Sequence, residues 1–102
     1  MAIKLPPFME VLAQRDEEFY QAVARVLELA HGPGALDPKT KTLISLALDA
    51  CVGSERGVQV LSQRARELGA TDQEINEVMR LVYAVVGSKP IIMGNLAFPS
   101  KG

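Results

Sequence analysis

The chain has 102 residues, with 11 Lys+Arg against 12 Asp+Glu, one cysteine, one histidine and no tryptophan. One cysteine excludes an intramolecular disulfide framework, and Cys51 with His31 falls short of the three or four N/S ligands of a typical zinc site. A net charge of −1 gives no overall attraction to nucleic acid or to an anionic membrane.

Neither a metal nor a cofactor is expected. The length suits a single domain spanning 1–102. Hydrophobic residues at 48% and charged residues at 23% are the balance of a soluble globular protein. The most apolar stretch, Leu43 to Gly53, is interrupted by Ser45 and Asp49 and is far short of the ~20 residues that span a bilayer. The opening residues MAIKLPPFMEVLAQRDEEF lack a signal peptide's apolar core. The expected compartment is therefore the cytoplasm, where a lone thiol stays reduced.

The pattern reads as all-α, five to six helices joined by short turns. Pro6 and Pro7 open a short first helix through Arg15, with Phe8 and Val11 or Leu12 turned inward. A second helix runs from Asp16 to His31 and repeats apolar residues at Phe19, Val23, Val26, Leu27 and Ala30. Asp16, Glu17 and Glu18 suit the positive end of its dipole, and Gly32-Pro33-Gly34 stops it. The third helix has a strong start: Asp37 as cap and Pro38 at the first helical position, where the missing N–H costs nothing. It runs to Val52 and is apolar around nearly its whole circumference, with only Thr42, Ser45 and Asp49 as a narrow polar stripe. A helix of that kind is buried on most sides, which in so short a chain implies a subunit interface as well as a core.

Gly53 breaks the run, and Ser54 caps a fourth helix to about Leu68 with Val58, Leu61, Ala65 and Leu68 as its inner stripe. Gly69-Ala70 ends it. Thr71-Asp72-Gln73-Glu74 is a capping box, the hydroxyl accepting one free backbone N–H and the carboxylate reaching back to another. The fifth helix carries Ile75, Val78, Met79, Val82 and Val85 on one face. Gly87-Ser88-Lys89-Pro90 closes it, and a last short helix spans Ile91 to Phe98. No segment reads as a strand with a partner, and no internal repeat at a solenoid period is visible.

Most local motifs have structural explanations. Gly34 to Thr40 resembles a phosphate loop ending in Lys-Thr, but Pro38 replaces the glycine that must precede the lysine and no strand leads in. Lys39, Lys41, Arg56, Arg64 and Arg66 alternate with Asp37, Glu55 and Glu67 and have no aromatic companions, so they read as a solvated face. His31 sits where a protonated imidazole can meet the last helical carbonyls. Met79 and Met93 fill a core. Cys51 ends an apolar helix, where the dipole disfavours a thiolate, and reads as a packed thiol.

Leu36-Asp37-Pro38-Lys39-Thr40-Lys41-Thr42-Leu43-Ile44-Ser45-Leu46-Ala47, followed by Gly69-Ala70-Thr71-Asp72-Gln73-Glu74-Ile75, resembles the carboxymuconolactone decarboxylase superfamily, which includes the alkylhydroperoxidase-type enzymes. The resemblance runs without a gap from Leu36 to Val78. It implies an alkylhydroperoxidase-like helical subunit that assembles as a homo-trimer or homo-hexamer, with a reactive pocket between the third and fourth helices near a subunit interface. In the peroxidase branch a glutamate, a Cys-x-x-Cys pair and a histidine relay protons while the first thiolate attacks the peroxide and the second resolves the sulfenic acid.

Laid onto this chain, the glutamate position is Thr42, the two cysteine positions are Ser54 and Gly57, and the histidine position is Leu61, so all four groups are replaced. The decarboxylase branch keeps the histidine that Leu61 replaces. Gly53, which commonly precedes the first cysteine, is retained. Cys51 lies three residues upstream of that position, with no second thiol to resolve it.

The pocket that the resemblance implies would be lined by Thr42, Cys51, Ser54, Glu55 and Leu61 and would be more apolar and less reactive than its counterpart. The expectation is a degenerate, non-peroxidatic oligomer that binds a partner or a small apolar ligand, with no nucleic acid and no membrane. The alternatives are a divergent decarboxylase- or isomerase-like enzyme with Glu55 as base, and a thiol redox role for Cys51.

Overall fold

The computed structural model describes residues 6–98. Among them are six α-helices, a closing 3₁₀ turn and no strand. The reading of the N-terminus as lacking a signal peptide falls partly on residues 1–5, outside the described residues. The chain divides between Ala35 and Leu36 into two compact units.

The first unit is a helical hairpin of α1 (Phe8–Arg15) and α2 (Glu17–His31). Asp16 joins them. Its backbone N–H donates to Leu12 O at 2.8 Å, and its carboxylate caps α2 by accepting from Phe19 N–H at 3.1 Å. Met9, Leu12 and Ala24 are buried, with Tyr20, Val23 and Leu27 packed against them.

This corrects the expected faces. Phe8 and Val11 are 60% and 64% exposed, and Met9 takes the inward place beside Leu12. On α2, Phe19, Val26 and Ala30 are exposed. The helix is apolar along two stripes, and an eight-residue partner, about 12 Å long, covers only one of them.

The second unit holds α3 (Pro38–Val52), α4 (Glu55–Glu67), α5 (Asp72–Val86), α6 (Ser88–Gly94) and a 3₁₀ turn at Asn95–Ala97. α3 packs against α4, α5 and α6. Its start follows the sequence signals: Pro38 opens it, and Asp37 accepts from Thr40 N–H at 3.0 Å and from the Thr40 hydroxyl at 2.6 Å. These hydrogen bonds to the charged form hold the Asp37 carboxyl below its ordinary value.

The core is Leu46, Ala50, Val58, Ala65, Ala70, Ile75, Met79 and Ala97, with Leu43, Leu61, Val78, Ile91, Met93 and Phe98 against it. The capping box of α5 forms as read. Thr71 Oγ1 accepts from Glu74 N–H at 3.1 Å, and Glu74 Oε1 accepts from Thr71 N–H at 2.9 Å. Glu74 Oε2 also takes a hydrogen bond from Lys39 Nζ at 2.8 Å, tying the start of α5 to the start of α3.

Three details differ from expectation. α3 is not buried all round: Leu46 and Ala50 are in the core, whereas Ile44, Leu48 and Val52 are 46%, 60% and 77% exposed and form one stripe at i, i+4 and i+8. Val85, expected on the inner face of α5, is exposed near its C-terminal end. The last helix begins at Ser88, not Ile91, because Pro90 falls in its first turn, where an N–H is dispensable; the helix then tightens into the 3₁₀ turn instead of continuing to Phe98.

Candidate functional site

The α3–α4 elbow is built by its short connection. Gly53 adopts the left-handed conformation (φ 79°) that ends α3, a region costly for residues with a Cβ. Its N–H and that of Ser54 both donate to Asp49 O. Ser54 then caps α4, its hydroxyl oxygen accepting from Gly57 N–H at 3.3 Å. Two residues thus reverse the chain and bring the end of α3 onto the start of α4.

The residues expected in the pocket have the following places. Thr42 lies in the first half of α3, and its hydroxyl donates to Pro38 O at 2.8 Å, within its own helix. Thr42 is about 10 Å along the axis from Asp49, so the elbow does not gather it. Ser54 and Gly57 sit together in the first turn of α4. Leu61 is half-buried and packs on the core. Cys51 is a free, half-buried thiol near the end of α3. Glu55 is exposed.

Asp49, part of the narrow polar stripe of α3, is central here. The Asp49 carboxylate lies against Gly57. A Cβ on Gly57 would be 2.1 Å from Asp49 Oδ2 and 2.6 Å from Ser54 Oγ, so the carboxylate and the hydroxyl converge on the space a side chain at 57 would need. Burial raises the Asp49 carboxyl above its ordinary value. A lone carboxylate in an otherwise apolar helix was the available signal. What could not be read in advance was that the missing side chain at 57 makes room for it.

Two concavities lie elsewhere in the second unit. One, of about 540 Å³, is lined by Asn76, Met79, Arg80, Tyr83, Ile91, Gly94, Asn95 and Phe98. The other, of about 320 Å³, is lined by Gln59, Ser62, Gln63, Arg66, Leu96 and Ala97. Arg66 pairs with Asp72, and its guanidinium lies over the Phe98 ring at 5.3 Å from the centroid. Its Nη1 is buried without a hydrogen-bond partner. Arg66, expected on a solvated face, is covered by a ring 32 residues away that carries no local signal. Among the described residues no group of three or more His, Cys, Asp or Glu could hold a metal ion, and no helix is long and apolar enough to cross a membrane.

The all-helical chain, with its capped α3, glycine-serine elbow and boxed α5, has the fold of a known family. Residues 17–91 match the carboxymuconolactone decarboxylase family, and the chain belongs to that family. It is 37% identical over 79 residues to an uncharacterised protein of Methanocaldococcus jannaschii, covering 78% of this chain and 74% of that protein. It also resembles the apo crystal structure of a carboxymuconolactone decarboxylase family protein from Legionella pneumophila. The TM-score is 0.74 at 25% identity, over 87% of this chain and 80% of that one. The family match begins at Glu17, so it takes in α2 as well as the Leu36–Val78 stretch that carried the resemblance.

Proposed function

We propose that this chain is a non-peroxidatic member of its family, a homo-trimer or homo-hexamer that binds a partner or a small apolar ligand. One observation supports the reading: the residues that the resemblance sets at the peroxidatic positions make only structural contacts here. The Thr42 hydroxyl closes onto its own helix, the Ser54 hydroxyl caps α4, Gly57 admits a neighbouring carboxylate, and Leu61 is part of the core's margin. None of these supplies a thiolate, and Cys51 has no resolving partner in the chain.

The exposed stripe Ile44, Leu48 and Val52 on α3 supports self-assembly, since aligned apolar residues on a surface favour a protein contact. The test is hydroperoxide consumption with a dithiol reductant, joined to sedimentation of the native protein. The expected result is no turnover above a heat-treated control, from an oligomer. Sustained turnover contradicts the first part, and a monomer contradicts the second.

A second reading is favoured by one specific feature. If the chain performs acid–base chemistry, as a divergent decarboxylase- or isomerase-like enzyme, the group placed for it is Asp49 and not Glu55. Glu55 is solvated, while Asp49 is partly desolvated and aimed at the same space as the Ser54 hydroxyl.

A further inference from the structure

The larger concavity is a cleft between α5 and the α6–3₁₀ segment, and it has two zones. Its floor is apolar: Met79 is buried, and Ile91 and Phe98 are half-buried. Its rim is polar: Asn76, Arg80 and Tyr83 project from successive turns of α5, at i, i+4 and i+7, and Asn95 faces them from the 3₁₀ turn. At about 540 Å³ the cleft falls in the size range of small-molecule sites, which combine an apolar lining with a few convergent polar groups.

Two features hold the floor in place. Gly94 lets α6 approach α5 closely: a Cβ there would lie 2.5 Å from Met79 Sδ. Phe98 is covered by the Arg66 guanidinium, itself fixed by Asp72, a cation–π contact that pins the ring. The rim carries one cation. Arg80 is exposed and, among the described residues, has neither an ion-pair nor a hydrogen-bond partner. A free guanidinium beside two side-chain amides and a phenol is a donor-rich head group site, and its planar fork matches a carboxylate.

We propose that this α5–α6 cleft binds a monocarboxylate carrying an apolar tail, the tail against Met79, Ile91 and Phe98 and the carboxylate at Arg80. The inference extends the ligand-binding reading above by naming the site and the chemistry. It also fails separately from it, because hydroperoxide turnover does not depend on this cleft.

The experiment is a backbone amide chemical-shift titration of the full chain with 4-phenylbutyrate, in parallel with 4-phenylbutyramide and with octanoate. The expected result is saturable shifts confined to residues 76–83 and 91–98 with both acids, and binding by the neutral amide weaker by about tenfold or more. Arg80→Gln weakens binding of the acids by a similar factor, Arg80→Lys retains part of it, and Arg25→Gln leaves it unchanged. No saturable shifts with either acid, equal binding of the amide, or shifts centred on Asp49 and Ser54 would each overturn the proposal. Arg80 is exposed, so its variants keep the fold, and unchanged amide spectra of the free variants verify this.

Discussion

The carboxylate of Asp49 occupies the space that a side chain on Gly57 would fill, with a Cβ at 57 falling 2.1 Å from Asp49 Oδ2. A side chain at 57 and the partly desolvated Asp49 carboxylate are therefore alternatives for one volume. Gly57→Ala is expected to expel the carboxylate into solvent without unfolding α4, because alanine is the better helix former by about 1 kcal/mol and Asp49 can swing outward. The Asp49 carboxyl then titrates closer to its ordinary value. Carbon-detected titration of the side-chain carboxyls measures this, and an unchanged Asp49 titration in Gly57→Ala contradicts the packing described.

The same desolvation sets a pH dependence. A carboxyl whose folded pKa is raised, as burial raises that of Asp49 above 3.8, favours the fold most when protonated. That contribution is lost as the pH climbs from the unfolded value through the raised folded one. Asp49→Asn is expected to be at least as stable as the parent at neutral pH, with the difference closing at and below the ordinary value. Denaturant midpoints across that range check the sign; a variant less stable at neutral pH than in acid, relative to the parent, contradicts it.

Glu74 has the opposite sign. The hydrogen bond from Lys39, then the one from Thr71 N–H, holds its carboxyl below the ordinary 4.5. Its contribution is present above that value and is lost as the pH falls through the lowered one. Lys39→Ala is expected to return the Glu74 titration toward 4.5 while leaving the capping box intact. Thr71→Ala removes the cap itself and costs about 1 kcal/mol, read as a lower denaturant midpoint at unchanged slope.

Leu46 is fully buried at the centre of the second unit. Leu46→Ala is expected to cost about 2–5 kcal/mol, the transfer loss plus the cavity left behind. Ile44→Ala, one face round the same helix, is expected to leave the fold's stability nearly unchanged and to weaken the proposed self-assembly instead, as seen by sedimentation. If the two substitutions have equal effects on unfolding, α3 is not divided into a core face and a free face.

The start of α3 and the capping box of α5 were legible because their signals are local: Asp37-Pro38 and Thr71-to-Glu74 satisfy backbone groups within one turn. The helix faces were legible only where a single apolar stripe existed. α2 and α3 carry more apolar residues than one core can cover, so periodicity could not say that Phe19, Val26, Ile44 and Leu48 face outward. The resemblance singled out Thr42, Ser54, Gly57 and Leu61; the approach of Asp49 to Gly57 depends on the elbow geometry, whereas Thr42 bonds only within its own helix. Asp49, Arg66 and Phe98 owe their roles to neighbours brought together by folding, and the sequence carries no spacing that announces them.

We propose that the positions matched to the peroxidatic residues serve structure in this chain and not peroxide chemistry. The most direct test is steady-state consumption of cumene hydroperoxide with dihydrolipoamide as reductant, run on the parent protein and on Cys51→Ala side by side. Both are expected to proceed at the rate of a heat-treated control. Turnover by the parent that disappears in Cys51→Ala would contradict the proposal, by showing that the lone thiol does the work of the missing pair.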